Sequence, residues 1–67
     1  MKVRDVIKLV ESDGWVFVRM RGDHRHYEHS TKQGIVTIAG HPGDEMVRGT
    51  QRSVFRQAQI KWKAKGK

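Results

Sequence analysis

A histidine-rich segment contains the residues of this chain whose types and spacing are best suited to chemistry. His24 and His26 lie two residues apart and His29 follows, so the segment holds three of the four histidines in the chain. An imidazole ring titrates near neutral pH and can therefore accept or donate a proton under physiological conditions. The chain has 14 Lys and Arg against 7 Asp and Glu, a formal net charge of +7. This combination indicates proton transfer close to a bound anion.

Cleavage of RNA is one reaction that such a segment could perform. Without a metal, the ribose 2′-hydroxyl attacks the adjacent phosphate, which requires a base for the hydroxyl, an acid for the leaving 5′-oxygen and positive charge beside the phosphoryl oxygens. His24 could serve as the base or the acid. Four nearby basic side chains could donate charge-assisted hydrogen bonds to the phosphate: Arg19, Arg21, Arg25 and Lys32.

Two other interpretations of the segment stay open on the residues alone. His24 and His26, with His29 or His41, could offer imidazoles to zinc, although zinc sites usually need further ligands held by surrounding groups. The chain could also be a non-catalytic RNA-binding module of the double-stranded-RNA-binding type, which recognises the shape of A-form RNA. Such modules typically carry a lysine-rich cluster where their second helix begins, whereas Thr50–Ser53 contains one basic residue. We expect no metal and no cofactor.

The elements that must position these residues can be read from hydrophobic spacing and turn residues. Apolar residues three and four apart predict a helix from about Val3 to Ser12, ended by Gly14. β-Branched and aromatic residues with intervening turns predict three strands, and Thr50 could cap a second helix. The predicted strands are Trp15–Met20, His24–His29 and Ile35–Ala39.

This order predicts an α+β fold of helix, three antiparallel strands and helix, with both helices on one face of the sheet. If Tyr27 points toward the helices, then His24, His26 and Glu28 point to the open face, because neighbouring side chains on a strand alternate. The opposite phase would bury His24. The first strand is apolar on both sides, which favours a covering partner unless the isolated chain buries both sides.

The chain reads as one domain over residues 1–60, followed by a basic tail over residues 61–67 that we expect to be frayed. It has no cysteine, which excludes a disulfide framework and fits a reducing cytoplasm. Its longest apolar run, Trp15–Val18, is too short to cross a bilayer, and the N-terminus lacks a signal-peptide core. We therefore expect a cytoplasmic protein without membrane contact.

Beyond these patterns, the chain resembles the HicA toxins, small mRNA interferases of toxin/antitoxin pairs, from about Lys2 to Ile60. The resemblance is carried by several segments that occur together in order, ending in the short Gly49-Thr50, Arg52-Ser53 and Arg56-Gln57-Ala58. The longer segments are Arg4–Trp15, Val18–His24 and Val36–Pro42.

The resemblance implies a fold like that of the double-stranded-RNA-binding domain, cleavage of messenger RNA, and neutralisation by a HicB-type antitoxin. The family's functional histidine lies in a Gly-Ser-His motif, which here reads Gly22-Asp23-His24. The catalytic role therefore passes to His24, and Gly22 joins the basic residues as a candidate for substrate contact. Asp23 replaces the usual serine. If the Asp23 carboxylate lay close to His24, it would favour the charged form of the imidazole and would repel phosphate. Alternatively, Asp23 serves only to form the hairpin turn.

Overall fold

The computed structural model describes residues 1–61 and confirms the predicted α+β order of helix, three strands and helix. The first helix and the second strand have the predicted bounds. The first strand extends one residue further than predicted, and the third begins one residue later. The elements are α1 (Val3–Ser12), β1 (Trp15–Arg21), β2 (His24–His29), β3 (Val36–Ala39) and α2 (Arg48–Gln57).

One hydrophobic core joins both helices to one face of the sheet. The strands form an antiparallel sheet in the order β1-β2-β3. Trp15 and Tyr27 are the largest fully buried side chains, and the indole Nε1 of Trp15 donates a hydrogen bond to the carbonyl of Ala58 at 3.2 Å. That bond satisfies a polar group that would otherwise be costly to bury. The core comprises Val3, Val6, Val10, Trp15, Tyr27, Val36, Ile38, Met46, Val54, Phe55 and Ala58.

The apolar spacing of α1 directs its buried side chains onto the sheet. Val3, Val6 and Val10 are buried, as expected for residues three and four apart on one helix face. The chain then leaves the helix through Gly14, whose φ of 102° is in the region that favours glycine. A Cβ at Gly14 would approach the His29 Nε2 to 2.8 Å, so glycine also makes room for that ring.

The second helix begins earlier than the sequence pattern predicts. Val47 is its N-cap residue, so Thr50 lies inside the first turn, and the prediction that Thr50 caps α2 is wrong. The N-terminus explains the shift, because the Met46 N–H donates to the Met1 carbonyl and Lys2 pairs with Glu45 in a short antiparallel bridge. The chain is therefore already fixed beside α1 when it enters α2.

The two edges of the sheet differ. At the β3 edge, the Gln57 side chain of α2 accepts a hydrogen bond from the Thr37 N–H at 3.0 Å. At the β1 edge, no third segment of residues 1–61 pairs with the strand. No helix in the described range is long and apolar enough to cross a membrane. Apart from Lys61, the predicted tail lies outside the described residues.

Candidate active site

The open face of the sheet carries His24 and His26, as predicted if Tyr27 points inward. Tyr27 is 1% exposed and pairs with the buried Val36, which sets the phase of β2. His24 then pairs with Ala39 and His26 with Thr37, on the side away from the helices. Burial raises the pKa of the Tyr27 hydroxyl above its usual value, so that group stays protonated and has no part in acid/base chemistry near neutrality.

A β-bulge at Val18 brings two arginines onto this open face. Phe17 pairs with Tyr27, but the next residue of β2, His26, pairs with Arg19, so Val18 is an extra residue in β1. Strict alternation from Phe17 would have put Arg19 and Arg21 on the helix side. The bulge reverses their side, so that Arg19 lies opposite His26.

Arg21 faces His24 directly across the hairpin. The two residues are a cross-strand pair, which typically brings Cβ atoms to about 5 Å of one another. The hairpin loop consists of Gly22 and Asp23, and Gly22 has a φ of 58°, a conformation that glycine adopts without steric cost at the first loop position. The structure therefore brings together Arg19, Arg21, Gly22 and His24 from the residues predicted for the site.

Asp23 contacts the imidazole that the loop presents. Its Oδ1 lies 3.1 Å from the His24 Nδ1, and both side chains are more than half exposed. The Asp23 carbonyl also accepts a hydrogen bond from the Gly40 N–H, which holds the loop against the end of β3. When the His24 Nδ1 carries a proton toward the carboxylate, its Nε2 is the ring nitrogen that can reach a substrate.

Arg25 lies on the other face of β2. Its cross-strand neighbours are Met20 and the buried Ile38, and its Nη1 donates to the Gly40 carbonyl at 3.0 Å. The guanidinium is thus directed toward the end of β3 on the helix side, and the structure does not bring it together with His24.

Lys32 lies near the opposite end of β2 from His24. Its ammonium donates to the Asp13 carboxylate at 2.6 Å and to the carbonyls of Ala58 and Gln59 at 3.3 and 3.0 Å. Hydrogen bonding from this ammonium is the largest influence on Asp13 and holds the pKa of that carboxyl below its usual value. Lys32 therefore joins the β2–β3 loop to the end of α2.

His29 fastens the start of β1 to the same loop. Its Nδ1 accepts hydrogen bonds from the backbone N–H groups of Thr31 and Lys32, so its proton lies on Nε2, which donates to the Asp13 carbonyl at 2.8 Å. The ring also packs edge-on against Trp15, with centroids 5.1 Å apart. These contacts occupy both ring nitrogens of His29, so this ring has a structural role that the other two histidines of the segment do not share.

The depression beside the hairpin is acidic and is a poor site for phosphate. A shallow depression of about 290 Å³ adjoins Asp23, but the carboxylates of Asp44 and Glu45 line it and would repel phosphate. Within residues 1–61, no three His, Asp or Glu side chains are grouped so that they could hold a metal ion. The bulge was not predicted, because its sole signal in the sequence is an apolar run that continues into arginines.

Comparison with known families gives one match. Residues 3–60 match the family described as HicA toxin of bacterial toxin-antitoxin. A search of curated proteins finds no match.

Proposed function

The chain belongs to the HicA toxin family, and we propose that it is a metal-independent endoribonuclease that cleaves messenger RNA with His24 as general acid/base. The observation that carries this proposal is the position of His24. Its ring stands on the open face beside Asp23 and directly opposite Arg21. A base, a group that orients it and a phosphate-binding cation thus share one end of the hairpin.

The reaction would begin with removal of the 2′-hydroxyl proton by the His24 Nε2. The 2′-oxygen then attacks the adjacent phosphorus, the bond to the 5′-oxygen breaks, and that oxygen takes a proton from solvent. The products are a 2′,3′-cyclic phosphate and a 5′-hydroxyl. General acid/base catalysis of this kind typically contributes about 10²–10⁴-fold to a rate.

Arg21 and Arg19 would bind the phosphoryl oxygens through charge-assisted hydrogen bonds, which strengthen as negative charge develops in the transition state. Gly22 lets the hairpin turn tightly enough to keep Arg21 paired with His24. Arg25 and Lys32 are left out of this proposed set, because each is engaged in contacts with carbonyl groups elsewhere.

Asp23 would orient the imidazole and stabilise the imidazolium that forms when His24 accepts a proton. Its negative charge works against phosphate binding, but Arg21 and Arg19 supply two positive charges on the same face. Compared with the family's usual serine, Asp23 would therefore favour proton abstraction by His24 and would lower the affinity for RNA in the ground state.

We further propose that a cognate antitoxin of HicB type neutralises the toxin, and that both act in the cytoplasm, where messenger RNA is translated. The second candidate function is an RNA-binding module without catalysis, which the likeness of the element order to double-stranded-RNA-binding domains favours.

Product analysis in the presence of a chelator separates the two functions. The purified chain is incubated with a single-stranded RNA, and with the same oligonucleotide carrying 2′-deoxyribose throughout. We expect cleavage of the RNA alone, with 2′,3′-cyclic phosphate ends. Binding of the RNA without cleavage would support the module, and cleavage of the deoxy strand would contradict attack by the 2′-hydroxyl. Cleavage that the chelator abolishes would point to a metal site.

A further inference from the structure

The β1 edge exposes an unusual amount of apolar surface. Six of the seven residues of β1 are exposed, and only Trp15 is buried. Val16 is 62% exposed and Met20 48%, while Phe17 and Val18 are also exposed. These four side chains lie within five consecutive residues of one strand, interrupted by Arg19, whereas Ile35 and Val47 are exposed singly elsewhere.

The outward backbone groups of this edge also have no partner strand within the described residues. No segment of residues 1–61 pairs with the outer side of β1, so half of its backbone N–H and C=O groups face away from β2. Such an edge is a ready template for another strand. The bulge at Val18 twists the strand and limits unselective pairing, since a partner must match the interruption.

We propose that an extended segment of the antitoxin adds to β1 as a fourth strand. This inference rests on the proposed function, because it takes the antitoxin as the partner that a toxin-antitoxin family requires. Main-chain hydrogen bonds give such strand addition its affinity, and alternate side chains give it specificity.

The two faces of β1 define the chemistry of that segment. On the helix side, Phe17 and Met20 offer apolar surface at the edge. On the open side, Val16 and the bulge residue come first, and Arg19 and Arg21 follow. A complementary segment is therefore apolar on one face. On its other face, it carries acidic side chains where it passes the arginines.

Charge argues for this occupant over a second copy of the chain. Each copy has a formal net charge of +7, so self-association would bring two strongly basic molecules together. An acidic segment instead gains attraction from Arg19 and Arg21. The same contact would silence the toxin, because carboxylates bound to these arginines would occupy the positions proposed for RNA phosphate.

The test compares Val16→Lys with the matched control Ile35→Lys. Each change places a lysine at an exposed apolar position, and the new lysine at position 16 faces Glu28 across the sheet, which favours folding. The probe is the cognate HicB-type antitoxin proposed above as the partner. Affinity is measured by calorimetry, and backbone protection by hydrogen exchange of parent toxin with and without the antitoxin.

We expect Val16→Lys to weaken the complex about tenfold or more, with Ile35→Lys unchanged, and we expect the β1 amides to gain protection on binding. Equal affinity of both variants, or protection confined to the helices, would overturn the proposal. Sedimentation of the parent alone as a dimer that Val16→Lys dissociates would assign the edge to a second copy instead. Loss of the proposed ribonuclease function would alter none of these readouts, since all of them measure binding.

Discussion

At the scale of single residues, His24 differs from the other histidines by its surroundings. His29 has both ring nitrogens engaged with backbone groups, and His41 lies exposed in the loop before α2. The Nδ1 of His24 instead lies 3.1 Å from a carboxylate oxygen, and the residue stands opposite an arginine. The chemistry proposed for the chain therefore depends on three neighbouring residues, Arg21, Asp23 and His24.

Asp23→Ala tests whether the carboxylate orients the ring. We expect the cleavage rate at saturating RNA to fall about tenfold, because the ring loses the acceptor that holds its Nδ1 proton. Nitrogen NMR of labelled His24 should show a shift of the neutral ring toward the Nε2–H tautomer. Asp23→Asn, which retains an acceptor oxygen at the same place, should change the tautomer less. An unchanged tautomer and rate in Asp23→Ala would leave Asp23 as a turn residue only.

Arg21→Ala tests phosphate binding. A charge-assisted hydrogen bond contributes about 1.5–3 kcal/mol, so we expect kcat/KM to fall by about 10- to 100-fold. A plot of the logarithm of the RNA-binding constant against the logarithm of salt concentration should become less steep, by about the release of one counterion. Arg52→Ala removes the same charge from the exposed surface of α2 and serves as the control. Equal effects of the two changes would indicate general electrostatic attraction instead of a site.

At the scale of elements, hydrophobic spacing predicted α1, β-branched and aromatic residues predicted the three strands, and Gly22-Asp23 predicted the hairpin turn. The phase of β2 stayed conditional on the direction of Tyr27, and the burial of Tyr27 in the structure decides it. What the sequence could not show is the bulge at Val18, because an extra residue in a run of apolar side chains changes no local preference. Its consequence is nevertheless decisive for the site, since it determines the face on which Arg19 and Arg21 lie.

Deletion of Val18 tests this account of the bulge. Removing the extra residue would restore a regular ladder while Arg19 and Arg21 stay opposite His26 and His24. We expect the shortened chain to fold and to cleave RNA within about threefold of the parent rate, since the order of cross-strand pairs is preserved. Circular dichroism and initial rates measure both. A folded but inactive deletion would show that the twist of the bulge itself is needed.

Lys32→Met tests the connection between the β2–β3 loop and α2. The pKa of Asp13 is lowered in the folded chain, so its ion pair stabilises the fold above the usual value of 3.8 and this contribution is lost as the pH falls through the lower folded pKa. Both side chains of the pair are about one-third exposed, so we expect a loss of only about 1 kcal/mol at pH 7.

Urea unfolding at a series of pH values measures this loss. The difference in unfolding free energy between parent and Lys32→Met should shrink as the pH falls below 3.8. Because Lys32 lies away from His24, the folded variant should cleave RNA at the parent rate. A large loss of cleavage without loss of stability would return Lys32 to the substrate site.

At the scale of the whole molecule, a small core supports a strongly basic chain. Eleven buried apolar residues within 1–61 hold both helices against the sheet, which leaves the other face of the sheet open. The net charge of +7 favours binding of polyanions such as RNA, whereas the proposed reaction would use the groups at the hairpin end. A partner on the β1 edge would cover Arg19 and Arg21 of that proposed site.

Single-turnover cleavage of RNA in the presence of a chelator, by the parent, His24→Ala and His26→Ala, tests the central claim most directly. His26 is the matched control, because it lies on the same face two cross-strand pairs away. We predict that His24→Ala lowers the cleavage rate by about 10²–10⁴-fold while RNA binding is retained, and that His26→Ala changes the rate far less. Cleavage by His24→Ala at the parent rate would contradict the account.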